Sequence, residues 1–181
     1  KIGLWPIISP VKFKITIAML LASIGAISLI SSLLLLCLTL SNILIDTPLI
    51  IFSMELDLIK TVLLLAILTI IAFTARVGGF IVSHLAAFHL EQILRTNLSQ
   101  HLATVPLGYI ISNGSGTLKK VIQDDVKTLH AFVADSTPMI AKSIVAPIST
   151  FLILSIIDYR FALATLIVFI LGWITMAFAM R

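Results

Sequence analysis

The chain has 181 residues, 60% of them hydrophobic and 11% charged, with a formal net charge of +4 and a mean hydropathy of +1.19. An average soluble domain carries about 25% charged residues, and a chain this apolar would expose large patches if it folded alone in water. Composition therefore excludes an ordinary soluble domain and argues for a membrane protein. The charge is too small and too dispersed for a nucleic-acid surface, and no nucleic-acid partner is expected. The lone Cys37 permits no internal disulfide and argues against thiol metal ligation.

Residues 1–14 place Lys1, Lys12 and Lys14 beside Trp5 and several aliphatics. That mixture suits an elbow lying in the membrane interface. The apolar run that follows is too long for the core of a signal peptide. Span one is expected at 15–40, an uncharged stretch longer than the ~20 residues a crossing needs. Ala18, Ala22 and Ala26, then Ser28 and Ser32, recur at four-residue spacing. They form a face on which another helix can approach closely.

Residues 41–60 carry Asp46, Glu55 and Asp57 against Lys60. With Pro48 breaking any helix, they read as a short acidic outer loop. Span two is expected at 61–82, interrupted by Arg76 and Gly78-Gly79. The helical pattern then continues beyond the membrane. Leu90, Leu94, Leu98 and Leu102 form one stripe, and Glu91 and Arg95 form an i,i+4 pair on the polar face. Pro106 and Gly108 end this helix. After the polar turn, Leu118, Val121, Ile122, Val126, Leu129, Phe132 and Val133 form a second stripe. Lys119, Lys120, Gln123, Asp124 and Lys127 take the opposite face. Ser115 or Thr117 is the expected cap. The two stripes match in length and predict an antiparallel hairpin over 84–136.

Span three is expected at 139–157, with Lys142 near its start and Pro147 inside it. Asp158-Tyr159-Arg160 is a tight outer turn, and span four is expected at 161–180. The fold class is thus all-α, with four transmembrane helices and long helical extensions. Lys and Arg concentrate in the N-terminal segment and in the hairpin, at Arg95, Lys119, Lys120 and Lys127. The positive-inside rule places both in the cytoplasm.

No catalytic constellation is visible. His84, His89, His101 and His130 lack metal-ligand spacing and read as polar faces of helices. Gly108, Gly114 and Gly116 are followed by no Lys-Ser/Thr and follow no strand, so they are not a phosphate-binding loop. No ATP-binding motif is present, and no enzymatic activity is expected of this chain alone. Arg76 and Lys142 are the charges nearest to lipid. Such charges either snorkel to the interface or line a water-filled cavity, and both are candidate substrate-cavity residues.

The run Leu94-Arg95, Leu98, His101-Leu102, Val105-Pro106-Leu107-Gly108-Tyr109, then Ser115-Gly116-Thr117-Leu118, then Asp124-Asp125-Val126 resembles the first intracellular loop of ABC transporters with the exporter-type transmembrane fold. The resemblance covers the whole chain: an elbow at 1–14, then the first four spans of the domain. Gly108 departs from it, standing where the family usually has an aromatic residue. The stretches Gly116–Val126 and Phe132–Pro138 resemble the bacterial branch that includes yersiniabactin-type siderophore importers. The resemblance implies two further spans, a second transmembrane half forming a homodimer or heterodimer, and a nucleotide-binding domain that carries ATP and Mg. It also implies a bacterial inner-membrane location. The tip, about 112–126, is then a coupling element docking on the nucleotide-binding domain. Its candidate residues are Tyr109, Asn113, Gly114, Ser115, Gly116, Thr117, Leu118, Asp124 and Asp125. Outside the resemblance, the residues also allow a four-span anchor or assembly protein whose hairpin recruits a partner. A self-contained carrier fits less well, because spans one and four hold no ionisable residue.

The topology has a direct test. Single cysteines at Ser53 and Asn113, in a Cys37→Ser background, should react with impermeant reagents from opposite sides of the membrane. Labelling from one side would end the four-span arrangement.

Overall fold

The computed structural model describes residues 7–45, 50–51, 54–55 and 57–179. The lysine and tryptophan of the expected elbow at positions 1 and 5, Asp46 and Pro48 of the outer loop, and Met180 and Arg181 lie outside the described residues. A 3-10 turn, Ser9–Val11, leads into α1, Lys12–Ile45. The strands β1, Ile50–Ile51, and β2, Met54–Glu55, pair antiparallel. Then come α2, Leu58–Thr104, and the short α3, Leu107–Asn113. The return limb runs α4, Ser115–Lys120, through a π-helical turn Val121–Asp125 into α5, Val126–Ala131. A second π-helical turn, Phe132–Ser136, leads into α6, Thr137–Ile157, and α7 is Tyr159–Ala179. Among the described residues, four helices are long and apolar enough to cross a membrane.

The 47 residues of α2 extend about 70 Å at about 1.5 Å per residue, more than twice the ~30 Å hydrocarbon core. The helix therefore continues well beyond any span. Asp57 starts it: its carbonyl accepts from the Thr61 N–H at 3.0 Å and from the Thr61 hydroxyl at 3.1 Å. Gly78-Gly79 does not interrupt it, contrary to the sequence expectation. In lipid, a broken helix would leave backbone groups unsatisfied, so glycine's weak helix propensity is overridden.

What Gly79 provides is close approach. The described residues fall into two compact units. The first joins the start of α1, up to Gly25, to Ile70–Lys142. In it Val11, Ile15, Ala18, Ala22 and Gly25 step alternately by four and three along α1. On α2, Ala72, Ala75, Gly79, Ser83, Ala86 and Leu90 recur at steps of three or four. This is the seam of a left-handed pair. A Cβ on Gly79 would stand 3.2 Å from the Ala18 carbonyl oxygen and 3.3 Å from the Ala22 nitrogen. One on Gly25 would stand 3.3 Å from the Ala72 carbonyl oxygen. Toward the hairpin the seam widens into larger side chains: Val11, Ile15, Ala86, Ala87, Leu90, Val133 and Ala134 form one buried cluster. The start of α1 is thereby fastened to both limbs of the hairpin.

The second unit holds the described parts of Ala26–Thr69 and Ser143–Arg181. Ala26, Ser28, Ser32, Leu35, Thr61 and Ala162 are its buried residues. The small-residue stripe expected on span one is thus largely buried. Pro147 sits inside α6, where it removes one helical donor. The Ser149 and Thr150 hydroxyls donate to the Val145 and Ala146 carbonyls one turn back. Asp158 alone separates α6 from α7, and its carboxylate accepts from the Arg160 N–H at 2.9 Å. The outer face of α7 is apolar and open, with Trp173 72% and Phe178 75% exposed.

The seam predicts that two helical glycines behave oppositely. Gly79→Ala forces a Cβ between backbone atoms and should destabilise the protein by about 1–3 kcal/mol. A Cβ at Gly172 meets nothing within 4 Å, so Gly172→Ala should be neutral or stabilise by up to about 1 kcal/mol through helix propensity. Thermal melts of the two variants in detergent check this. Equal melting temperatures would argue against the seam.

Candidate functional site

The hairpin tip is built by two backbone restrictions. Pro106 cannot continue α2 and is extended, at φ −58° and ψ 140°. Gly114 closes α3 at φ +74° and ψ 140°, a conformation that costs any other residue about 1–3 kcal/mol. Between them α3 runs for seven residues. Leu107 and Ile111, one turn apart on it, are each 71% exposed. Among the described residues, nothing covers this apolar pair at the end of the arm.

The sequence-predicted site residues distribute around this turn. Tyr109 and Asn113 lie on α3, and Gly114 is the turn itself. Ser115, Gly116, Thr117 and Leu118 already belong to α4. The cap of α4 is Gly114, whose carbonyl accepts from the Leu118 N–H at 3.4 Å, not the Ser115 or Thr117 side chain. Only Gly114 has a positive φ among the described glycines. Gly116 is an ordinary helical residue with open space around it, so the positive φ that shapes the turn is Gly114's. Gly108 does not end α2, which stops at Thr104. It sits inside α3. Asp124 and Asp125 are exposed in the π-helical turn, beyond the tip and on the return limb. Arg76 and Lys142 are both exposed. Arg76 lies on α2 and Lys142 on α6. The sequence reading did not single out Leu107 and Ile111 as contact residues. Their i,i+4 spacing between a proline and a glycine was the available signal.

Behind the tip the limbs pack loosely. Leu98, His101 and Leu102 on α2, with Val105 just past its end, face Leu118, Val121 and Ile122 across a hollow of about 450 Å³. Farther back the packing closes, with Val126 and Val133 buried. At this transition Glu91 reaches two side chains. Its Oε1 lies 2.7 Å from Arg95 Nη2, as the i,i+4 spacing predicted. Its Oε2 lies 2.8 Å from His130 Nδ1 on α5. That nitrogen has no aligned hydrogen-bond partner, so the second contact is a close approach rather than a directed bond. Glu91 and His130 are 18% and 17% exposed, which shields the pair from full solvent screening. The His130 ring stands edge-on to Phe88 at 4.7 Å. The sequence gives no sign of the Glu91–His130 contact, because it depends on the register of one limb against the other.

The second π-helical turn has a local cause. Pro138 lacks the N–H that would bond to the Ala134 carbonyl, and its ring crowds that carbonyl. The helix widens before it, and the buried Thr137 hydroxyl donates to the Val133 carbonyl at 2.7 Å. Among the described residues no three His, Cys, Asp or Glu side chains converge as metal ligands.

A polytopic helical membrane domain whose second and third spans continue into a long helical hairpin with a short tip helix is the class these features define. The family model of the ABC transporter transmembrane region matches residues 15–181, and the chain belongs to that family. It is the membrane-spanning module of an ABC transporter. Among curated proteins it is similar to the mycobactin import ATP-binding/permease protein IrtA of Mycolicibacterium smegmatis, 32% identical over 80 residues. It is 35% identical over 80 residues to the protein of that name from Mycobacterium tuberculosis. Each alignment covers 44% of this chain and 9% of the relative.

A double-mutant cycle tests the contact between the limbs. Glu91→Ala and His130→Ala should be non-additive by about 0.5–1 kcal/mol, the range for a partly exposed ion pair, in thermal melts at low salt. Additivity within error would make the contact incidental.

Proposed function

We propose that this chain passes ATP-driven motion from a nucleotide-binding domain to the membrane, through α3. The observation that carries the reading is the tip itself: a short helix with an open apolar pair, fixed by Pro106 and Gly114 at the end of a long arm. An arm transmits motion only if its end is seated on something that moves. Leu107 and Ile111 supply the apolar contact, and Tyr109, Asn113, Ser115, Gly116, Thr117 and Leu118 flank it. Asp124 and Asp125, with no ion pair among the described residues, are available to a basic rim on the partner. ATP and Mg are held by that partner, which is either fused to this chain or separate.

A second transmembrane half completes the pathway, and the open apolar faces of α6 and α7 support that reading. The Lys and Arg distribution supports a cytoplasmic N-terminus and hairpin in a bacterial inner membrane. Relatives named for mycobactin import support a siderophore as the substrate and inward transport as the direction. Arg76 and Lys142 are the charged groups proposed to meet it. The alternative of an anchor or assembly subunit would use the same tip to recruit a partner without transport.

The complete transporter distinguishes these. Gly114→Val, and separately Leu107→Asp with Ile111→Asp, should leave membrane insertion and ATP binding intact. Both should abolish substrate-stimulated ATP hydrolysis and transport together. Stimulated hydrolysis and transport at the unmodified level in both variants would remove α3 from the coupling path.

A further inference from the structure

A polar contact crosses from one limb of the hairpin to the other where the closed base gives way to the hollow. Glu91 Oε2 on α2 lies 2.8 Å from His130 Nδ1 on α5, and Oε1 of the same carboxylate lies 2.7 Å from Arg95 Nη2. Along α2, Glu91 follows the buried Leu90 and precedes Leu98 in the wall of the hollow. Along the return limb, His130 falls between Ile122 of the hollow and the buried Val133. Phe88 stands against the His130 ring at 4.7 Å and 68°, and His84 at 6.3 Å and 84°.

His130 Nδ1 is buried and has no aligned hydrogen-bond partner. Such a nitrogen is costly, and two lone pairs 2.8 Å apart repel. A neutral imidazole carries one proton, on either nitrogen, whereas the imidazolium carries both. The neutral ring gains little from this approach even with its proton on Nδ1, because a misaligned hydrogen bond is weak. The imidazolium gains by Coulomb attraction, which needs no alignment and which partial burial strengthens. Between about pH 5 and 8 an imidazole changes charge, while carboxylates and guanidinium groups do not.

The groups around His130 set the sign. From α2 come Glu91 with its partner Arg95, and His84, whose Nδ1 lies 3.1 Å from the Phe80 carbonyl oxygen. A proton on His84 would oppose one on His130. Lys127 and Asp135 on the return limb, and Lys12 and Lys14 on α1, are exposed and in no ion pair among the described residues.

We propose that Glu91 and His130 form a proton-gated clasp, which sets how firmly the two limbs hold together behind the tip. With His130 protonated, the limbs are drawn together at the mouth of the hollow and α3 moves with the base. With His130 neutral, the pair releases and the segment behind the tip loosens. The clasp is therefore present on the acid side of the His130 transition and lost on its alkaline side. Acidification around the hairpin tightens coupling, and the two side chains are positioning residues for it. The inference rests on the coupling reading of α3 and adds its regulation by protons.

The test uses the complete transporter in lipid discs, with Cys37→Ser, any other cysteines removed, and a nitroxide on Ile122→Cys in the wall of the hollow. Its spectrum separates a restrained from a mobile population. From pH 8 to pH 5.5 the restrained-to-mobile ratio should rise about two- to fivefold, the factor a partly exposed ion pair is worth. The step should vanish in His130→Gln and, independently, in Glu91→Gln. It should persist in His84→Gln and His101→Gln. No step in the parent, or a step that survives His130→Gln or Glu91→Gln, overturns the clasp. A step abolished by His84→Gln or His101→Gln also overturns it. ATP hydrolysis by the unlabelled transporter is measured separately, as the ratio of parent to His130→Gln at each pH, so that the ATPase's own pH dependence cancels. This ratio should rise over the same interval. A label step without that rise removes the coupling reading of α3 alone, and a rise without a label step removes the clasp alone.

Discussion

The structure depends on how closely α1 and α2 approach one another. Lipid supplies no hydrophobic force between apolar helices, so contact must come from van der Waals packing over a long, close seam. Gly25 and Gly79 remove the Cβ atoms that would hold the backbones apart, and Ala18, Ala72 and Ala75 keep the rest of the seam thin. Once α1 is fastened along α2, the long helix is braced at its base. Without that brace, a helix of 47 residues would pivot at the membrane surface, and its far end would carry no information about the spans.

Stiffness is graded along the hairpin. At its base the elbow residues Val11 and Ile15 join Ala86, Ala87, Leu90, Val133 and Ala134 in a closed core. At its end the same two limbs enclose a hollow, and the return limb there contains a π-helical turn. Loss of packing contacts around a void weakens local cohesion, and π-helical turns sit often at functional sites. Glu91 bridges the limbs where the closed region meets the open one. The tip can therefore adjust to a surface while the base moves as one piece with α1.

Much of this was legible in the sequence, and the failures have physical reasons. Apolar periodicity predicted the long helices and the two hairpin stripes because lipid and core both demand it. The small-residue stripe on α1 was readable for the same reason. Gly78-Gly79 was misread because propensity measured in water describes the wrong solvent. Which tip glycine turns left-handed was not readable: Gly114 and Gly116 are chemically identical, and only the point where α3 ends selects one. The Glu91–His130 contact depends on limb register, which no local pattern encodes. The coupling role of the tip residues is carried by the resemblance and by the geometry of α3, not by any motif in the turn.

The seam of α2 explains how one helix can serve as the mechanical link. Its seam face uses residues too small to bind anything, because their task is to disappear between two backbones. Large rings and charges there would hold a helix pair apart. Since 3.6 residues make one turn, steps of three and four keep the small residues of the seam on one side of α2 over several turns. A displacement of α2 driven from the tip would then reach its membrane-spanning part along one continuous helix while the seam keeps α1 in step. The seam and the length of α2 are, in this arrangement, what joins the hairpin to the start of α1.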